Sequence, residues 1–155
     1  MWLPTAVLIG AALTMHQMHR VDLTIIKANR EHIAASQAMQ YATAVESYMR
    51  TNPGVSGSPT TNQLTTLPTW FPKTCDGDVC FRAVIVSGYG YVTAKSNAAE
   101  QPTLKQIDAM QDGSLIIGTF PQANNGEFVS TTRGTFNLPI TSAVISKTPT
   151  IVVMP

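Results

Sequence analysis

Ionised side chains are scarce in this sequence. Ten Lys/Arg and nine Asp/Glu among 155 residues make 12%, about half the share of an ordinary soluble domain. With a net charge of +1 the chain is not the basic surface that nucleic acid selects. Ser, Thr, Asn, Gln, Pro and Gly fill the vacated places, a composition common among secreted and cell-surface proteins. Histidine is scarcer still, and His16, His19 and His32 all lie near the start. None is placed to act as a base toward a Ser or Cys in the C-terminal half. His16 and His19 share a helical face but want further ligands for zinc, and His32 is too far along the helix to help. The patterns GxSxG, SxxK and HExxH are absent. Gly88-Tyr89-Gly90 lacks the rest of a phosphate-binding fingerprint. The expectation is a protein that is not an enzyme, with no metal, no cofactor and no small-molecule substrate.

Cysteine is limited to Cys75 and Cys80, separated by Asp76-Gly77-Asp78-Val79. An Asp-Gly turn lets the chain fold back so that the two sulfurs can meet. Closing so small a loop is worth about 2–3 kcal/mol in the chain-entropy picture. A metal site would want two more ligands, and the spacing is too long for a CxxC redox motif. A disulfide is the favoured reading, with free thiols and metal ligation left open. A disulfide would place this region outside a reducing cytoplasm. Asp76 and Asp78 read as turn residues, because the loop lacks the further oxygens that calcium needs.

The N-terminal stretch lacks charge altogether through His19. Trp2 to Met15 is apolar apart from Thr5 and Thr14, and a helix through residues 1–19 would rise about 28 Å, near the thickness of a bilayer core. Trp2, Leu3, Val7, Leu8, Ile9 and Leu13 are the expected residues of a membrane span. His16, His19 and Arg20 would mark its far boundary. A cleaved signal peptide would want a basic start and a small-x-small site, neither of which is present. A buried helix of a soluble domain is the other alternative. Orientation is contested within the sequence. Arg20, Lys27 and Arg30 follow the span, which by the positive-inside rule favours a cytoplasmic domain. The cysteine pair and the charge-poor surface favour the periplasm, which is the placement adopted.

From Val21 to about Arg50 there is no Pro or Gly, and helix formers are frequent. Ile26, Ile33, Gln37, Tyr41, Val45 and Tyr48 follow one helical stripe. Val21, Ile25, Ala28, Ala35, Met39 and Ala42 follow a second. Thr51-Asn52-Pro53-Gly54 stops the helix. No charged residue occurs between Thr51 and Pro72, a stretch that reads as an ordered loop. It ends in Trp70-Phe71, an aromatic pair expected to anchor the loop to the core, or to form an exposed binding patch. Strand-like runs follow at 81–87, 89–94, 115–120, 127–131, 135–140 and 150–154. Asn124-Asn125-Gly126 and Arg133-Gly134 are turn signals between them. Residues 103–110 read as one short helix. The organisation is a transmembrane signal anchor over 1–19, then a single α+β domain over 20–155. That domain comprises a helix (20–50), a loop (51–72) and a mostly antiparallel sheet region (73–155) with the short helix inserted.

The order of features resembles the PilM family of type IVb thin-pilus systems, found on conjugative plasmids and in related bacterial operons. It is carried by the apolar N-terminal span and the helix tail from Tyr41 through Glu46, Tyr48 and Arg50 to Pro53-Gly54. Leu67-Pro-Thr-Trp70-Phe71, Tyr89-Gly-Tyr91-Val92, Ile117-Gly118 and Leu138-Pro139-Ile140 complete it. The cysteine pair has no place in that pattern. The resemblance implies a single-pass component of the bacterial inner membrane and of pilus assembly, with lipid, pilin or other assembly proteins as its partners. It carries no catalytic residues over. A minor pilin or pseudopilin shares the long-helix-then-sheet plan and is the alternative structural role. The span, however, lacks the Glu that such subunits carry near their processed N-terminus. A secreted binding module, with the apolar segment as export signal, is the third possibility.

Overall fold

Residues 3–71, 80–94, 106–108, 115–122, 125–140 and 147–155 are described by the computed structural model, with the backbone alone for 3–24. Helix α1 runs from Leu3 to Thr51. Pro4 sits in its first turn, where a missing N–H costs nothing, and no Pro or Gly follows Gly10 until Pro53. The helix ends where polar side chains satisfy its last carbonyls. Asn52 N–H and Nδ2 both donate to Tyr48 O, at 3.0 and 2.9 Å, and Thr51 Oγ1 donates to Ser47 O at 3.1 Å. Gly54 then turns the chain at φ +78°.

The predicted helix is therefore present. Among the described residues no helix is long and apolar enough to cross a membrane. The reason is length. The apolar run from Leu3 to Met15 would rise only about 20 Å as helix, against a hydrocarbon core of roughly 30 Å, before His16, Gln17, His19 and Arg20 intervene.

The chain divides into two units, Met1–Arg30 and Glu31–Pro155. The first is helical where it is described. The second holds the remainder of α1 and six strands: β1 (Phe81–Val86), β2 (Tyr89–Ala94), β3 (Ile116–Thr119), β4 (Glu127–Ser130), β5 (Gly134–Asn137) and β6 (Thr150–Val153). They form one sheet in the order β1-β2-β6-β3-β4-β5, and every neighbouring pair is antiparallel. Each expected strand-like run overlaps one of them, β5 starting one residue earlier than its run, at Gly134. What the sequence concealed is the order, since β6 is inserted between β2 and β3.

The sheet alternates with period two and separates two cores. Phe81, Ala83, Ile85, Val92, Ala94, Ile117, Ile151 and Val153 face α1, where Ala35, Ala38, Tyr41, Ala42, Val45 and Met49 meet them. The buried helix face thus draws on both predicted stripes. Ile25, Ile26 and Ile33, assigned to those stripes, are instead 53%, 47% and 55% exposed. Ile33 lies on the flank of the helix away from the sheet-facing alanines. On the opposite face of the sheet, Tyr91, Ile116, Phe120, Phe128 and Val152 pack with Phe136, Leu138 and Ile140. Tyr91 donates its hydroxyl proton to Pro139 O at 2.5 Å, tying the segment after β5 to a strand far from it in the sheet.

Of the predicted short helix, residues 106–108 are described and are helical, and Ile107 is buried in the helix-side core. The rest of that helix, like Asn124, lies outside the described residues.

Candidate interaction surface

The uncharged loop after α1 is ordered by successive tight turns rather than by pairing along a strand. Gln63 N–H donates to Thr60 O at 2.9 Å, Leu67 N–H to Leu64 O at 3.0 Å, and Phe71 N–H to Pro68 O at 3.0 Å. Gln63 Oε1 accepts from Thr60 N–H at 2.7 Å, closing the first turn reciprocally. Gly57 and Ile85 exchange two backbone hydrogen bonds of 2.8 and 2.9 Å, which fastens the loop to the outer edge of β1. An apolar strand edge is thereby covered.

The loop closes on an aromatic cluster. The Phe71 ring lies 5.8 Å from that of Tyr41 on α1 and 6.4 Å from that of Phe81 on β1. Tyr41 and Phe81 are themselves 5.9 Å apart. Phe71 is 5% exposed, whereas Trp70 is 61% exposed. The aromatic pair anticipated as a unit is therefore divided, because neighbouring residues in a tight turn point in different directions. Phe71 anchors the loop and Trp70 presents an indole to solvent, 6.2 Å from the Phe71 ring. The anchoring position falls to Phe71 alone, and Trp70 is exposed.

Between α1 and this loop lies a groove of about 570 Å³. The helix contributes Ser36, Met39, Gln40, Thr43 and Ala44, and the loop contributes Thr66 and Pro68. A smaller crevice of about 210 Å³ shares Pro68 and is lined also by Leu64 and Phe71. Among the described residues no ionised side chain lines either. Gln40 lines the groove, and its Oε1 is buried without a hydrogen-bond partner. Such an acceptor has lost water and gained nothing, at a cost of about 1–3 kcal/mol. Thr43 spends its hydroxyl proton on Met39 O, 3.0 Å away along its own helix.

Burial pushes the Tyr41 phenol pKa up, so the aromatic cluster beside the loop stays neutral. On the other face of the sheet, burial and then the neighbouring Tyr89 raise Tyr91 well above the ordinary tyrosine range.

The remaining predicted residues do not converge on this surface. Leu3, Val7, Leu8, Ile9 and Leu13 belong to the first half of α1. Trp2 lies outside the described residues, as do Cys75, Asp76 and Asp78. Cys80 is buried, 6% exposed, immediately before β1. Among the described residues no three of His, Cys, Asp or Glu come together, and His32 is exposed on α1. Gln40 and the groove were missed in the sequence. The only signal pointing there was the run of residues 51–72 without a charge, beside a helix rich in Ser, Thr and Gln.

No curated protein and no solved structure matches the chain significantly. A family model does: that of PilM matches residues 5–152. The matched interval takes in nearly all of α1, the uncharged loop with its groove, and the sheet as far as β6. Covered over almost its whole length, the chain belongs to the PilM family.

Proposed function

We propose that the protein is a non-catalytic scaffold of type IVb thin-pilus assembly, held at the bacterial inner membrane by its N-terminal helix. The observation that carries this reading is the family match over residues 5–152. The proposed working surface is the groove between α1 and the loop with the exposed Trp70 beside it, and the partners are pilin or other assembly proteins.

The apolar run of α1 supports attachment to the bilayer, with Trp2 and His16, His19 and Arg20 at headgroup depth. A run this short is accommodated by local thinning and by flanking side chains reaching the interface. A Cys75–Cys80 disulfide would favour a periplasmic domain, whereas Arg20, Lys27 and Arg30 pull toward the cytoplasm. Labelling of intact spheroplasts with an impermeant thiol reagent decides this. Thiols that are reduced, and reached only after lysis, would overturn the periplasmic placement.

Detergent extraction of membranes followed by co-purification is the test of the scaffold. The expected result is an intact N-terminus and retention with the neighbouring assembly proteins. The helix-then-sheet plan of α1 and β1–β6 also suits a minor pilin. N-terminal sequencing of the chain from sheared pili separates the two, since a processed chain found there would sink the scaffold. Release into a periplasmic extract, with a start beyond residue 15, would instead identify a secreted binding module.

A further inference from the structure

We propose that the edge of β5 pairs with β5 of a second copy of this chain, antiparallel about Phe136, joining two sheets into one. The two edges of the sheet are finished differently. At β1 the bridge between Gly57 and Ile85 covers the edge. Among the described residues β5 is the last strand at the other end, and its Gly134, Thr135 and Asn137 are exposed. Open sheet edges are ordinarily blunted by Lys, Pro or a bulge. β5 has none of these, since it reads Gly-Thr-Phe-Asn and its register with β4 is unbroken. Beyond Leu138 the chain turns across the sheet face, where Pro139 O accepts from the Tyr91 hydroxyl of β2.

The ladder with β4 fixes which main-chain groups point outward. Leu138 N–H donates to Gly126 O at 2.8 Å, continuing the register that sets Phe136 opposite Phe128 and Gly134 opposite Ser130. In an antiparallel pair, hydrogen-bonded residues alternate with residues whose N–H and C=O face the other way. Gly134, Phe136 and Leu138 therefore bond toward β4, and Thr135 and Asn137 aim their main-chain groups away from it. These outward groups are self-complementary. With Phe136 opposite Phe136, Thr135 of each copy lies opposite Asn137 of the other, and four hydrogen bonds form together.

Three features favour a second copy over a different partner. A flexible peptide offers the same hydrogen bonds but must be ordered to make them, whereas β5 is already held extended by β4. The half-buried Phe136 meets its counterpart at a non-hydrogen-bonded position, where side chains come closest and an aromatic pair adds to the contact. Charge agrees with the antiparallel sense. β5 carries none, and Arg133 just before it would stand about 20 Å from its counterpart, beyond the screening length. Parallel pairing would set the two guanidinium-bearing residues roughly 5 Å apart. The pairing does not depend on the scaffold role.

Disulfide trapping of the full chain in detergent tests the register. Thr135→Cys and Asn137→Cys are made singly, then oxidised mildly, each alone and as a mixture. The unsubstituted chain under the same oxidant is the blank for Cys75 and Cys80. Positions 135 and 137 of opposite copies have Cα atoms about 5.5 Å apart, within disulfide reach, whereas like positions lie diagonally and beyond it. The expected result is a dimer whose linkage between positions 135 and 137 is identified by mass spectrometry. Its yield in the mixture should be about ten times that from either variant alone. Asn137→Pro removes an outward N–H but none that bonds β4. Two of the four hydrogen bonds are lost, so dimerisation should weaken about ten-fold or more in sedimentation equilibrium, with circular dichroism unchanged.

A chain that stays monomeric and gives no such linkage overturns the inference. So does equal linkage in the single variants and the mixture, which reports collision and not register. A dimer that Asn137→Pro leaves intact lies on another surface and overturns it too. Should that variant unfold, the linkage between positions 135 and 137 alone decides. In membranes holding the assembly proteins, a Thr135→Cys chain linked to one of them in place of a second copy would assign the edge to that protein and end the pairing proposal.

Discussion

At Gly118 a single methyl group would do the most damage. A Cβ there would run into Val129 O and come within 2.8 Å of both Phe128 Cζ and Ser130 Cα. The obstructing atoms are largely backbone of the paired strand β4, which cannot turn aside. Gly90 is also crowded, but its nearest neighbour is Met49 Sδ at 2.8 Å, the flexible end of a side chain. Gly118→Ala is therefore expected to cost about 3 kcal/mol or more, and Gly90→Ala about 1 kcal/mol, in urea unfolding. Equal losses would mean that β4 can move as readily as a methionine. Neither requirement is visible in the sequence, where Ile117-Gly118 and Gly90-Tyr91 look alike. The crowding is created by packing partners far along the chain, and no local pattern encodes it.

At the scale of elements, the loop and α1 show how far patterning reaches. The absence of Pro and Gly between Val21 and Arg50 was enough to place the helix, and Pro53-Gly54 to end it. Which helix face would be buried was only half legible. Two stripes were visible, and the sheet selected alanines from one and Tyr41 and Val45 from the other. The same holds for Trp70-Phe71, where adjacency hid opposite fates. Phe71→Ala removes the ring that joins α1, the loop and β1, and should cost about 3–5 kcal/mol. Trp70→Ala should change stability by no more than about 0.5 kcal/mol. Paired denaturant melts read the difference. A Trp70→Ala loss comparable with that of Phe71→Ala would mean that the indole is part of the core.

At the scale of the whole molecule, the two buried tyrosines set an alkaline limit. Burial raises Tyr41, and burial with Tyr89 raises Tyr91. The unfolded chain releases these protons near pH 10, while the folded chain holds them to higher pH. Above that point the native state binds more protons than the unfolded one, so stability falls as pH rises. Below it the contribution is fully present. Tyrosinate absorbance and circular dichroism recorded together should show Tyr41 and Tyr91 ionising only as the fold opens. Ionisation of all tyrosines with the dichroism intact would contradict the burial that causes the shifts.

The strand order makes the sharpest demand on the chain as a whole. β6 pairs with β2 over Gly90–Thr93 and with β3 over Ile116–Gly118, so it joins the two halves of the sheet. Its four residues are all buried, and Ile151, Val152 and Val153 reach both cores. Strand alternation located β6 in the sequence but could not place it centrally, because its partners lie some 30 to 60 residues earlier. Without β6, both β2 and β3 would expose an unpaired edge, which is a template for aggregation. A chain ending at Pro149 should therefore lose cooperative unfolding altogether, not merely a few kcal/mol. It should also bind dyes that recognise exposed apolar surface. The control is a chain ending at Val153, which keeps every paired residue of β6 and should unfold like the full chain. A cooperative transition in the shorter variant would show that β2 and β3 can pair directly, and that the central position of β6 is not required for the fold.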